Sequence, residues 1–253
     1  LVISPIPLGR ALYMVGDYAD GRFTPIRVGE VDTGGHLYAP QTLDDRGRRL
    51  MWGWLREGRK PEAQVAAGWA GVMSLPRVLT LRSVGTIGWA FPDELAALRG
   101  APLRLPPQEL PAGEVDLSHR VYGDALELRV RFAPGHAAAA PYGLWLRSSP
   151  GGEERTRIIY SPREDVLSVD RTCSSLDDGM GRDVRGSALH LAESEGLALH
   201  VYLDHSVLEV IANGRVCLSS RIYPTRADSL GVGIDSGGAG LEEFCAWEMG
   251  AIW

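Results

Sequence analysis

In the segment ALELRVRF, residues 125–132, every second side chain is apolar: Leu126, Leu128, Val130 and Phe132 fall on one face, and Glu127, Arg129 and Arg131 on the other. Successive residues of a strand point to opposite faces, so this alternation predicts a strand buried on one side. GLALHVYL, residues 196–203, repeats it with Leu197, Leu199, Val201 and Leu203. In VLEVIANGRVCLSSRIY, residues 207–223, Asn213-Gly214 stands between two such runs and supplies the positive φ angles of a type I′ hairpin. Several antiparallel strands, each with one apolar face, bury those faces most directly as two packed sheets. The expectation for residues 115–253 is a two-sheet β-sandwich.

Residues 1–98 give short apolar runs (ALYMVGDY, HLYAPQTL, RLMWGWL) separated by turn signals such as Asp-Gly and Arg-Gly. They read as antiparallel strands without a helical period. The one predicted helical turn is PDELAALR at 92–99, with Pro92 at its start. The proline- and glycine-rich stretch after it, residues 99–114, is predicted to be an irregular linker. Short units with aromatic motifs and polar turns suit propeller blades, each taking roughly 45 to 60 residues, and a propeller needs at least four. This region accommodates fewer than two, so the reading expects a longer protein, with something ahead of the strand-like sequence at Leu1.

Composition narrows the function. The chain has 253 residues, of which 45% are hydrophobic, and its net charge of −6 is interleaved without a basic stripe, so nucleic acid is not an expected partner. No apolar run approaches the roughly 20 residues of a spanning helix, so no membrane segment is expected. No charged stretch precedes an apolar one at the start, so no leader is legible and the compartment stays open, cytoplasmic or secreted. Cys173, Cys217 and Cys245 are expected to be buried structural thiols, and none of the six histidines shows ligand spacing, so neither metal nor cofactor is expected.

The segment GGHLYAPQTLDDRGRRLMWGWLRE, residues 34–57, sets Tyr38, Trp52 and Trp54 around a strongly polar turn. Such amphipathic rings either pack in a core or meet a ligand with an apolar face, and sugar rings are ligands of that kind.

Four stretches carry a family resemblance: GDYADGRFTP (16–25), DTGGHLYAPQTLDDRGRRLMWGW (32–54), GWAGVMSLPRVLTL (68–81) and LDHSVLEVIANGRVCLSSRIYP (203–224). In this order and spacing the chain resembles glycoside hydrolase family 32, the β-fructofuranosidases, invertases, sucrose-6-phosphate hydrolases, levanases and inulinases. The resemblance implies an all-β fold, the last blades of a five-bladed β-propeller followed by the sandwich. It implies a retaining hydrolase of terminal β-D-fructofuranosides, or alternatively a non-catalytic carbohydrate-binding or assembly module derived from one. The expected partner is sucrose or a fructan, with homo-oligomerisation through the sandwich open.

The family's chemistry rests on an Asp nucleophile in W-x-N-D-P-N-G, an Asp in R-D-P and a Glu in E-C, and none of these strings occurs here. The resemblance places all three upstream of Leu1. No catalytic residue is therefore assigned, and substitution by Asp17, Asp32, Asp44, Asp45 or Glu57 is not expected. Tyr38 matches a family position lining the sugar pocket, favoured over blade packing. Trp54 is the second candidate, in a W-G-W-x-x-E string more like the plant enzymes, with Gly58 where bacterial members often carry an aromatic; one of Trp52 and Trp54 is expected in the core, with Gly53 bending the backbone between them. Glu57 is the third, bonding sugar hydroxyls or standing in a solvated loop. Asp32 and Gln41 are expected to tie blades together, Trp69 to be core, and His205 to mark a tight strand turn.

Overall fold

The computed structural model describes residues 1–7, 9–134 and 140–251. The alternating segments form the expected sandwich. One sheet runs Gln108–Glu109, Gly240–Met249, Ala125–Phe132, Ala198–Asp204, Val207–Ala212, Val216–Arg221. The other runs Glu114–Asp116, Gly231–Asp235, Tyr142–Ser148, Arg155–Ser161, Val166–Cys173, Val184–Ala188. Leu128, Phe132 and Val201 of the first sheet pack on Leu144, Ile158 and Ile234 of the second in one continuous core. Asn213 and Gly214 close the hairpin with φ of 48° and 61°. His205, φ 49°, turns the neighbouring one.

Residues 1–98 form two further antiparallel sheets. Val2–Ile3, Leu12–Ala19 and Arg22–Glu30 make one; Leu37–Asp45, Arg48–Leu55, Arg77–Leu81 and Ile87–Ala90 make the other, with Val72–Met73 also paired to Arg48–Leu55. These consecutive meanders are blade-like sheets, and they lean on the sandwich's first sheet. Met51, Leu55, Trp89 and Phe91 pack there with Tyr202, Ile211 and Cys217 as a second core. That sheet therefore buries both faces, which is why Glu127 is as buried as its apolar neighbours.

Three expectations need correction here. Arg99–Leu105 is a strand rather than an irregular linker, paired with Gly240–Met249. It lies at the sheet's edge, paired on one side to Gly240–Met249, where a proline is tolerated. A helix the pattern reading missed spans Pro61–Ala67; Pro61 opens it, Gly68 ends it with φ 76°, and no residue in it is buried. With no buried face it has no apolar period to read, only its start and stop residues. Finally, Cys173 is exposed, while Cys217 and Cys245 are buried.

Candidate functional site

Arg48–Leu55 alternates as a strand must, and the alternation decides the fate of its tryptophans. Met51, Gly53 and Leu55 take the buried face; Trp52 and Trp54 share the other, half-buried and 40% exposed. The core of this strand is thus Met51 and Leu55, not a tryptophan. Gly53 is required by contact rather than by a bend, since a Cβ there would stand 2.7 Å from Leu37 Cγ. Tyr38 lies directly opposite Trp54 in the adjacent strand. Its ring is buried, and its hydroxyl hydrogen-bonds the Pro5 carbonyl at 2.8 Å and that of Ser4 at 3.1 Å. The Arg56 guanidinium sits 5.8 Å from the Tyr38 centroid.

Glu57 is neither free nor solvated. Its side chain is 5% exposed and accepts hydrogen bonds from the Arg59 guanidinium at 2.8 and 3.1 Å and from the Gly58, Arg59 and Gly71 amides. Tyr223, from the sandwich, donates its hydroxyl to the same carboxylate. Burial pushes against ionisation, yet Arg59, Tyr223 and the Gly71 amide together hold the carboxyl well below its ordinary range. In turn, burial and Glu57 push the Tyr223 phenol up to about 12. Glu57 thus joins the blade loop to the sandwich, and the Gly71 whose amide it accepts packs against the Trp54 indole.

Trp69, expected in the core, is 47% exposed, with the Arg59 guanidinium 4.1 Å from its ring centroid. A cation over an indole face is a favourable surface arrangement that replaces packing there.

The seam between the two regions holds the most buried charge. Arg77 is fully buried and its Nη2 donates to Asp32 and Glu209 at 2.9 Å each. Asp32 also accepts from the Gly34 and Ser219 amides at 2.9 Å each, and Glu209 from the Leu75 amide at 2.6 Å. Burial pushes Glu209 up, against the pull of Arg77 and the Leu75 amide, while the two carboxylates hold Arg77 firmly protonated. Asp32 is thus a tie, both to the second blade sheet through Arg77 and to the sandwich through Ser219. Gln41 is exposed, and its side chain bonds nothing among the described residues.

These two carboxylates converge on one arginine, the arrangement nearest to a catalytic pair, yet their side chains are 1% exposed. No substrate reaches them. Asp17 and Asp44 stand in solvent, and Asp45 is engaged by Arg48 at 2.5 Å. Among the described residues no cluster of His, Cys, Asp and Glu is arranged to hold a metal, His136 lying outside them. His205 bonds Asp124 at 3.0 Å beside its turn.

Two blade-like sheets docked on a β-sandwich define an all-β, two-region architecture. The chain belongs to glycoside hydrolase family 32: residues 7–88 match the glycosyl hydrolases family 32 N-terminal domain, and residues 94–248 the family 32 C-terminal domain. It is 28% identical over 229 residues to an acid beta-fructofuranosidase of Vicia faba, covering 76% of this chain and 36% of that protein. A Solanum lycopersicum acid beta-fructofuranosidase is 28% identical over 261 residues, covering 85% and 41%. The fold is that of fructan 1-exohydrolase IIa from Cichorium intybus, with TM-score 0.85, 21% identity, and coverage of 96% of this chain and 55% of that one. Exo-inulinase from Aspergillus awamori gives 0.81, 19%, 96% and 50%. The chain spans about two fifths of the length of these curated relatives and about half that of the solved chains.

Proposed function

We propose that this chain is the sandwich and adjoining blades of a retaining β-fructofuranosidase that hydrolyses terminal β-D-fructofuranosides of sucrose or fructans, and that its catalytic carboxylates lie outside this sequence. The observation that carries the reading is the state of the carboxylates near the blade aromatics. Each is clamped, buried or in open solvent, whereas retaining hydrolysis needs two carboxyls about 5 to 5.5 Å apart and open to the sugar. The exposed sheet faces agree with it. Trp54, Met73, Tyr18 and Ile26 are large apolar side chains left in solvent on the blades, the kind of surface that further blades would cover. On this reading Trp54, beside Tyr38, lines the fructosyl side of the site, Tyr38 shapes it from behind, held by the Ser4 and Pro5 carbonyls, and Glu57 sets the loop that borders it. The solved Cichorium intybus enzyme has also been determined in complex with 1-kestose, which fits a fructo-oligosaccharide substrate.

The test is the native protein, its intact mass measured together with fructose release from sucrose and 1-kestose. A polypeptide roughly twice this length that releases fructose with retained configuration supports the proposal. A native protein of this length that binds fructans without cleaving them replaces it with a carbohydrate-binding module.

A further inference from the structure

A cavity of about 430 Å³ opens at the edge of the sandwich's second sheet, and every residue around it lies between 114 and 231, none of them in the blades. Its volume falls within the roughly 300 to 1,000 Å³ of small-molecule sites. Trp145 lines it. In Tyr142–Ser148 the side chains of Tyr142, Leu144 and Leu146 enter the core, which leaves Trp145 on the outer face. There the indole lies against Gly233, where a Cβ would stand 2.1 Å from the ring, and beneath the Arg155 guanidinium, 4.6 Å from a ring centroid.

Trp145 is 2% exposed, yet its Nε1–H has no acceptor among the described residues. A buried indole N–H normally has a partner, so this one marks an unmet donor. At the rim Tyr122 does the opposite: it is 66% exposed, a phenol ring held in water.

The charges around the cavity say what fits. Glu114 is taken up by Arg155 at 2.6 Å and Arg157 at 2.7 Å, and Asp228 by Arg226 at 2.7 Å. Among the described residues Asp116 accepts from Ser118 alone, whose amide lies 2.8 Å away. Arg155, the cation among the lining residues, is already paired with Glu114, while acceptor oxygens, a guanidinium edge and an exposed aromatic face remain. That combination suits a neutral ligand rich in hydroxyls with one apolar face. We infer that this cavity is a second saccharide site, on the sandwich, holding a neutral oligosaccharide against Tyr122 and Asp116. It rests on the proposed function only in the choice of a fructan as probe.

The experiment is calorimetric titration of the full chain with 1-kestose and with levan oligosaccharides, using maltotriose and inorganic phosphate as comparisons. The inference expects saturable saccharide binding that Tyr122→Ala and Asp116→Ala each weaken about tenfold, a difference of about 1.4 kcal/mol, with the melting temperature unchanged. Trp54→Ala should leave that binding as it was. Binding that survives Tyr122→Ala but disappears in Trp54→Ala would move the saccharide to the blades, overturning this site while favouring the proposed function. Absence of saturable saccharide binding, or preference for phosphate, would also overturn it.

Discussion

The sandwich and the blade sheets are built from the same strand alternation, but they bury it differently. In the sandwich the apolar faces meet each other, Leu128 and Phe132 of one sheet against Leu144 and Ile158 of the other. The blade sheets send Met51, Leu55 and Trp89 to a face they do not own, the outer side of a sandwich sheet. Their other faces stay open, with Tyr18, Ile26, Trp54 and Met73 in solvent. One region is closed upon itself, whereas the other is stable by attachment. The seam between them is fastened by buried charge at Arg77, Asp32 and Glu209, whereas the core between the sandwich's two sheets is apolar packing.

Separating the two regions should produce the largest effect. Residues 99–251 contain the whole sandwich core and both of its sheets, including the strand Arg99–Leu105, and this fragment should unfold cooperatively in urea. Residues 1–98 alone should not, because two small sheets with one borrowed face fall short of an independent core. A cooperative, monomeric transition for 1–98 would erase the contrast.

Next in size is the seam charge. Arg77→Met leaves Asp32 and Glu209 buried without a counter-charge, and should cost about 3 to 5 kcal/mol in urea unfolding. A loss near zero would show the seam to be held by its apolar contacts alone.

Core and rim can then be set side by side. Leu144→Ala removes a fully buried side chain at the sheet–sheet interface and should cost about 2 to 5 kcal/mol. Trp54→Ala, at a position 40% exposed, should cost about 1 kcal/mol or less in this chain. Comparable losses from the two would place Trp54 in a core that the structure does not show.

Acid should divide the regions by a smaller margin. At the seam, burial and the nearby Arg171 push His36 down to about 4 from its ordinary 6.5. The unfolded chain therefore takes up this proton first, and stability is lost as pH falls from about 6.5 towards 4. Inside the sandwich Glu154 sits at about 2: burial opposes ionisation, and Ser229 with the Thr225, Arg226 and Leu176 amides outweighs it. Its contribution is present above about 4.5 and is lost only as pH falls from there towards 2. Hydrogen exchange at pH 5.5 should consequently speed up around Gly34 and His36 before it does around Glu154. Simultaneous loss of protection would remove the distinction.

What could be read from the sequence follows from how local each signal is. Strand alternation and the Asn213-Gly214 turn are written within a few residues, and the structure has them where the pattern places them. Arg99–Leu105 was hidden because Pro102 signals a break in an isolated chain but is tolerated at a sheet edge, and an edge exists only after folding. The bond partners of Arg77 lie 45, 132 and 142 residues away in sequence, so no local pattern announces them. Glu57 was visible as a carboxylate beside the aromatics. Its partner Tyr223, 166 residues away, was not, and that partner is what turns it from a free ligand group into a clamp. The Tyr38–Trp54 neighbourhood was legible because both residues sit in one hairpin.

The central claim is that this chain shapes and supports a fructosyl site without carrying the groups that break the glycosidic bond. The most direct measurement is fructose released from sucrose, 1-kestose and inulin by the purified 253-residue chain at high enzyme concentration. The account predicts no release above the uncatalysed background, because on the proposed reading the nucleophile and the acid lie outside this sequence. Hydrolysis that persists through purification and vanishes in Asp17→Asn or Glu57→Gln would contradict it.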